Sequence, residues 1–599
     1  MHLKSLFKPR LGAPLPAWII FPVVFAALYI SHFTLLRLPY YWDEAGYYIP
    51  AAWDFFRTGS LIPFSTLTNA HPPLPSIYLA LLWKAFGFSP EVTRTSVLIV
   101  ATFGLTAVWR LAMRLVGVPA VAFWTVALTA LYPVWFAQSS LAHADIFAAA
   151  CTLWGLVYVL PALNRDLPRK PWAAAVWFSL AALSKETAIV IPLTLAIVSL
   201  VESRRAPGRA RTRLWSEAAW LAGCLLPLAA WYAFHFCKTG FLFGNPEFLR
   251  YNAQANLSPF RILSAFGYRV LHLTAHMNLF LPVGIAIAAL LLDPLPEPLS
   301  GPLSEPAEPS RAPSDCHPER AKRVEGAASC PSGARVGSQN SQLRPSIAPS
   351  ALRRIAFLLL TNALFFSVLG GALLTRYLLP MYPLVLLVVV TTFYRRVPYW
   401  RALAVFSAAV FILGLFLNPP YRFAPEDNLA YARVIRLHQA GIAELEKRYP
   451  GSTVLTAWPV SDELLRPELG YLAQPFAVYR LEDFTAGQIA RAAQEPEQYS
   501  AALVFSTKYD PPSLPLSLGP RAEAVDERYF GLHHDLPPEQ IALQLHGDLV
   551  WKQQDHGQWI TLIRFPRQYD ARLVSAEPQS EKWLPQLSIL RAAIPAHIF

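Results

Sequence analysis

Charge is what this sequence has least of. Of its 599 residues 15% are Asp, Glu, Lys or Arg, while 54% are hydrophobic and the mean hydropathy is +0.33. Soluble domains carry about 25% charged residues, so the deficit excludes an ordinary soluble globule and points to lipid as the solvent. Cysteine is scarce as well, with five in the chain. Cys151, Cys224 and Cys237 lie in or beside apolar stretches, Cys316 and Cys330 in a polar one, and none follows residue 418. No disulfide framework is indicated. The C-terminal part also lacks a glycine-rich nucleotide fingerprint and any His/Cys cluster with metal-ligand spacing.

What is present is a succession of apolar runs over the first 418 residues, each able to cross about 30 Å of hydrocarbon. Stretches 19–36, 118–137 and 214–236 are clear examples. A cleaved signal peptide fits poorly, because the first run lacks a small-residue cleavage site and more runs follow. The net charge of +12 is not a nucleic-acid footprint. Residues 419–599 carry 17 Lys/Arg against 22 Asp/Glu, a net of −5, which leaves +17 for the first 418. That excess sits in short loops between apolar runs, where it sets orientation.

Lys4, Lys8 and Arg10 place the N-terminus in the cytoplasm. The run 72–87 is short and opens on Pro72, Pro73 and Pro75. If it lies at the outer interface instead of crossing, every basic cluster falls inside: Arg110/Arg114, Arg165–Lys170, Arg204–Arg213 and Arg395/Arg396. Spans are then expected at about 17–36, 93–114, 118–137, 144–161, a pair within 172–201 broken at Lys185-Glu186, 214–236, 268–292, 355–373, 377–394 and 400–418. Eleven spans leave the C-terminal part outside. The fold class expected is an all-α polytopic plasma-membrane protein (residues 1–418) with a C-terminal extracytoplasmic soluble α/β domain (419–599). Residues 293–354, rich in Pro, Ser, Gly and Arg, read as a disordered cytoplasmic insertion. In the tail, 452–457 and 501–506 read as buried strands and 481–494 as a helix with Asp483 as N-cap. His533-His534-Asp535 reads as a surface loop.

Ionisable groups at membrane depth are costly unless paired or facing water, so they are functional candidates. This topology gathers several at the outer side. Asp43-Glu44 follow the first span among Tyr40, Tyr41, Trp42, Tyr47 and Tyr48, aromatics suited to an interface. Adjacent carboxylates repel and raise one pKa toward that of a general base; a helix N-terminus favouring acids is the bland alternative. His71 stands before a proline run, either as a phosphate or hydroxyl ligand or as a simple cap. Asp145 opens a span. Lys185 interrupts one, either facing a phosphate or pairing with Glu186. Arg376 and Arg94, at outer ends of spans, either clamp a phosphate or snorkel to headgroups.

The Asp43-Glu44 pair, the following Pro72-Pro73-Leu74 element, Asp145, the break Leu183-Ser184-Lys185 and the string Arg376-Tyr377-Leu378-Leu379-Pro380 together resemble the membrane-embedded GT-C glycosyltransferases. The similarity is to protein O-mannosyltransferases and bacterial lipid A aminoarabinose transferases, over most of residues 11–418; the tail is loosely similar to the soluble domain of the latter. The resemblance implies inverting transfer of a sugar from a polyprenyl-phosphate donor to a lipid, glycan or protein acceptor. It implies Asp43 as general base, Glu44 as its partner, Asp145 as a second acidic position, and Lys185, Arg376, His71 and Arg94 as donor-phosphate ligands. His71 stands where the aminoarabinose transferases tend to have Lys. No cofactor is required by that chemistry; a divalent cation on Asp43, Asp145 and His71 is the open alternative. A transporter or lipid flippase is the competing class, but it calls for internal repeats and midplane charges, and the sequence shows neither.

Overall fold

The computed structural model describes residues 17–66, 68–163, 168–246, 257–292, 345–369, 372–509 and 520–565. Most of the expected insertion (293–344) therefore lies outside the described residues. Its last part does not behave as an insertion: Pro349–Val368 is one helix, and Arg354 is buried within it.

The N-terminal part is helical, and its helices begin where the sequence places prolines. Pro90, Pro119, Pro133, Pro171, Pro259 and Pro349 each stand in a first turn, where a missing N–H costs nothing and the fixed φ favours the helix. Ser89 caps the helix Pro90–Leu115, its Oγ accepting from Val92 N at 3.2 Å.

Among the described residues five helices are long and apolar enough to cross a membrane: Pro90–Leu115, Glu186–Ser203, Gly208–Thr239, Pro349–Val368 and Thr375–Arg396. Six shorter apolar helices accompany them, Ile19–Leu35, Leu74–Phe86, Pro119–Leu131, Ala144–Val159, Pro171–Ser184 and Trp400–Phe416. The chain is a multi-pass membrane protein. Leu74–Phe86, the run expected at the interface, has 13 residues and reaches about 20 Å. The straight span expected at 268–292 is instead a pair, Pro259–Asn278 and Phe280–Leu292, bent by 104°. Met277 and Asn278 at the bend have φ of 47° and 67°, left-handed values that hydrophobic patterning cannot reveal.

The C-terminal part opens with the amphipathic helix Ala430–Arg448 and holds a five-stranded sheet of order β2-β1-β3-β5-β4. The strands are β1 (Thr453–Ala457), β2 (Ala477–Leu481), β3 (Ala501–Phe505), β4 (Asp548–Asp555) and β5 (Gln558–Arg564). β1 is parallel to β2 and β3, while β5 is antiparallel to both β3 and β4. β1 and β3 are the two strands expected, and they are the most buried. The expected helix shrinks to Ala486–Ala492 with Thr485, not Asp483, as N-cap. Asp483 instead accepts from Thr485 N at 3.0 Å, a turn that leads into the helix. The domain rests on the first interhelical loop: Tyr40 N donates to Leu469 O at 3.2 Å and Tyr471 Oη to Tyr40 O at 3.0 Å.

Candidate active site

The site is built from segments far apart in sequence. Trp42, at φ 50°, turns the chain into a π-helical turn, Glu44–Tyr48. A bulky residue in that region is strained, and such strain clusters at functional sites. The turn splits the paired acids. Glu44 faces inward and is fully buried, accepting from Tyr41 N at 2.9 Å, Ala142 N at 2.6 Å and both terminal nitrogens of Arg94. Burial raises its pKa, with Arg94 opposing. Asp43 faces the other way, and its side chain is 34% exposed.

Arg376 gathers the carboxylates. Its Nη2 donates to Asp43 Oδ2 and its Nη1 to Glu426 Oε1, while its Nε lies 3.4 Å from Asp145 Oδ2. Lys185 Nζ donates to the other oxygen of Asp145 at 2.6 Å. Three carboxylates thus face two cations in a buried setting. The surplus acid resolves at Glu426, whose carboxyl is pushed up to about 8 by burial, against the pull of Arg376 and with Asp43 and Asp427 adding to the rise.

Tyr377 is the meeting point of the cations. Lys185 Nζ lies 4.2 Å from its ring centroid, and the guanidinium carbons of Arg269 and Arg376 lie at 5.6 Å and 6.0 Å. Arg269 is buried with no carboxylate beside it among the described residues. It donates to the carbonyls of Phe366 and Leu374 at 3.2 Å and 2.7 Å, and its Nη2 has no partner. A buried guanidinium without a counter-charge is expensive, and a phosphate would complete it. The 427 carboxylate braces this region from behind. Asp427 accepts from Thr375 Oγ1 and pairs with His276 Nε2 at 3.0 Å, and His276 Nδ1 meets Tyr421 Oη at 3.1 Å.

The structure brings Asp43, Asp145, Lys185 and Arg376 into one cluster. Two other sequence candidates stand apart from it. His71 pairs through Nδ1 with Glu186 Oε2 at 2.9 Å and stacks on Tyr48 at 6.0 Å between ring centres. Arg94 is fully buried, and its donors are taken by Glu44 and the carbonyls of Leu38, Pro39 and Ser140. It is a strut for the Glu44 turn. Of the three residues in the open divalent alternative, Asp43 and Asp145 both contact the Arg376 guanidinium and His71 Nδ1 pairs with Glu186. No group of three or more His, Cys, Asp or Glu suited to a metal occurs among the described residues.

Sequence reasoning assigned no role to Glu426, Arg269, Tyr377 or His143. Arg269 carried the same signal as the others, a cation inside an apolar stretch. Glu426 carried none, because it lies in a polar turn after the last span. His143 is buried with Nδ1 bonded to Gln138 Oε1 at 2.9 Å and Nε2 unpartnered. Burial, with Arg376 and Lys185 nearby, holds its pKa well below the ordinary histidine value.

Residues 70–232 match the family model described as dolichyl-phosphate-mannose-protein mannosyltransferase. Two solved structures of ArnT from Cupriavidus metallidurans are similar over almost their whole length. The apo form aligns with TM-score 0.50 and 14% identity, covering 91% of this chain and 98% of that one. The form bound to undecaprenyl phosphate gives the same score and identity, with 91% and 97% covered. No curated protein matches the sequence significantly. At this identity the likeness is one of fold: the chain shares the architecture of the ArnT structures.

Proposed function

We propose that the protein is a polyprenyl-phosphate-dependent glycosyltransferase that works at the outer face of the plasma membrane and inverts the anomeric centre. The observation that carries this reading is the juxtaposition of one accessible carboxylate, Asp43, with three cations, Lys185, Arg269 and Arg376, grouped around Tyr377. The mannosyltransferase match over 70–232 and the ArnT fold, including a form holding undecaprenyl phosphate, support the same donor class.

Asp43 takes the proton of the acceptor hydroxyl as its oxygen attacks the anomeric carbon. The bond from that carbon to the phosphate oxygen breaks, and the lipid phosphate leaves as an anion that the cations stabilise. A phosphate leaving group needs this charge stabilisation more than it needs a proton. Asp145 holds Lys185 and Arg376 toward it. Glu44 and Arg94 lock the turn that aims Asp43.

Sidedness rests on the helix ends. Arg94, Asp145 and Arg376 stand at the first turns of Pro90–Leu115, Ala144–Val159 and Thr375–Arg396, and Lys185 follows the last residue of Pro171–Ser184. Arg114, Lys170 and Arg395/Arg396 stand at the opposite ends of these helices or beside them. Basic residues favour the cytoplasmic side, which supports an outward-facing site and C-terminal domain.

The test is mass spectrometry of envelope glycolipids and glycoproteins from cells lacking the gene, complemented with the wild-type chain or with Asp43→Asn. A sugar present with the wild type and missing with the variant is expected, at equal protein levels. Wild-type sugar addition by Asp43→Asn sinks the assignment.

A further inference from the structure

Beside the membrane site the C-terminal domain carries a groove of about 710 Å³, lined by Trp458, Tyr479, Arg480, Gln488, Arg491 and Gln494 together with Leu481, Glu482 and Glu495. Its size falls within the range of small-molecule sites, roughly 300–1,000 Å³. It opens at the carboxyl ends of the parallel strands β1 and β2, the end at which open α/β sheets bind ligands, and the helix Ala486–Ala492 forms its far wall. We infer that this groove holds the saccharide part of the acceptor, an inference that rests on the glycosyltransferase reading.

The chemistry of the lining selects the class. Two aromatic rings, Trp458 and Tyr479, offer flat apolar faces, and planar guanidinium, amide and carboxylate groups surround them. A sugar ring has the matching pattern, an apolar C–H face rimmed by hydroxyls that accept from Arg and donate to Glu. Two Arg and two Glu balance one another, which suits a neutral ligand. Several of these side chains are already set: Gln488 Nε2 donates to Glu482 at 3.0 Å, Tyr479 Oη to Glu495 at 2.9 Å, and Arg480 Nη2 to Asp462 at 3.3 Å. Preset groups lower the cost of binding. A peptide strand added to the free edge of β2 needs pockets for alternate side chains, and a lipid chain needs a continuous apolar wall. The lining has one aliphatic residue, Leu481.

Position ties the groove to the reaction. The Trp458 ring meets that of Trp42 edge-on at 4.6 Å, and Trp42 directly precedes Asp43. Gly46, in the same turn, lies against the same indole, which leaves 3.0 Å to a Cβ built there. A saccharide in the groove is thereby led past Trp458 to the base, while the lipid donor enters from the membrane.

The double variant Arg491→Ala/Gln494→Ala tests this, since both residues lie on the surface away from the cations and carboxylates. In complemented cells the full-length variant is expected at wild-type level in the membrane, and purified in nanodiscs it should bind undecaprenyl phosphate as the wild type does. Glycosylated product should fall about tenfold, the loss expected when charge-assisted hydrogen bonds to a ligand are removed. Linkage analysis of the wild-type product should find the new sugar on a hydroxyl of another sugar. Wild-type product levels from the double variant overturn the groove's role, and so does a sugar attached to an amino-acid side chain. A wild-type chain that adds no sugar at all overturns the parent reading first, an outcome separate from either.

Discussion

The ammonium of Lys185 donates to Asp145 at 2.6 Å with both side chains almost wholly buried, so the ammonium depends on this carboxylate, whose other oxygen lies 3.4 Å from Arg376 Nε. Removing one partner of a buried pair costs about 3–5 kcal/mol, whereas replacing both with apolar residues costs little. Asp145→Asn is expected to lose stability on that scale. Lys185→Met/Asp145→Leu should recover most of it and still fail to transfer sugar. Thermal unfolding in detergent, set beside a transfer assay, separates the two effects. A double variant no more stable than Asp145→Asn contradicts the pairing.

Glu426 predicts an unusual pH response. Its carboxyl stays neutral in the folded chain up to about pH 8, whereas its ordinary value is 4.5. Between these values the folded state holds a proton that the unfolded state has released, so this group's contribution to stability falls as pH rises. That is opposite to a carboxylate whose pKa is held down by its cation. Above pH 8 the new negative charge should also weaken binding of undecaprenyl phosphate. Glu426→Gln should flatten both trends, checked by unfolding at pH 5 and pH 8 and by lipid binding at pH 7 and pH 9.

A methyl group at Gly46 would be tight, with three indole atoms of Trp458 between 3.0 and 3.3 Å from a Cβ built there, so the ring would have to give by a few tenths of an ångström. Overpacking of this kind costs about 1–3 kcal/mol. Gly46→Ala should therefore push the Asp43 turn and the C-terminal domain apart and lower kcat. Adding Trp458→Leu should restore stability. If Gly46→Ala alone is silent in both unfolding and kcat, the close approach is wrong.

A second buried network sits at the other ends of the helices. Glu217 accepts from Arg354 Nη1 at 2.5 Å and from Ser199 Oγ at 2.8 Å, and its second oxygen meets Arg169 at 2.7 Å; Glu202 takes Arg354 Nη2 at 2.6 Å. Glu217→Gln leaves the buried Arg354 with less counter-charge and should destabilise by about 3 kcal/mol. Undecaprenyl phosphate affinity of the folded protein should not change. A large affinity loss would show that this end of the bundle is coupled to the site.

The sequence was informative where a charge broke an apolar pattern. Asp43, Asp145, Lys185 and Arg376 stood out for that reason, and the fold brings them together. Partner choice was not legible, because it is tertiary. Glu44 and Asp43 are neighbours in sequence, yet a π-helical turn sends one to Arg94 and the other to Arg376. From its place before the prolines His71 was open between a phosphate or hydroxyl ligand and a simple cap, and its pairing with Glu186 through Nδ1 was not legible there. In the tail the fully buried β3 was readable, and β2 and β4 were not, since their half-exposed residues carry no apolar run. The bend at Met277 and Asn278 had neither Gly nor Pro to announce it.

The bridge from Arg376 to Asp43 spans 333 positions of the chain. At 5–20 residues per second, synthesis leaves the proposed base without its guanidinium for roughly 20 to 70 s. Lys185 and Asp145 are 40 apart and can meet long before that. Assembly at the ribosome thus forms the Lys185–Asp145 pair first and shields the base last. Glu426 arrives only after every membrane helix has been made, so a chain cut short in its final span leaves Arg376 buried against an incomplete set of acids.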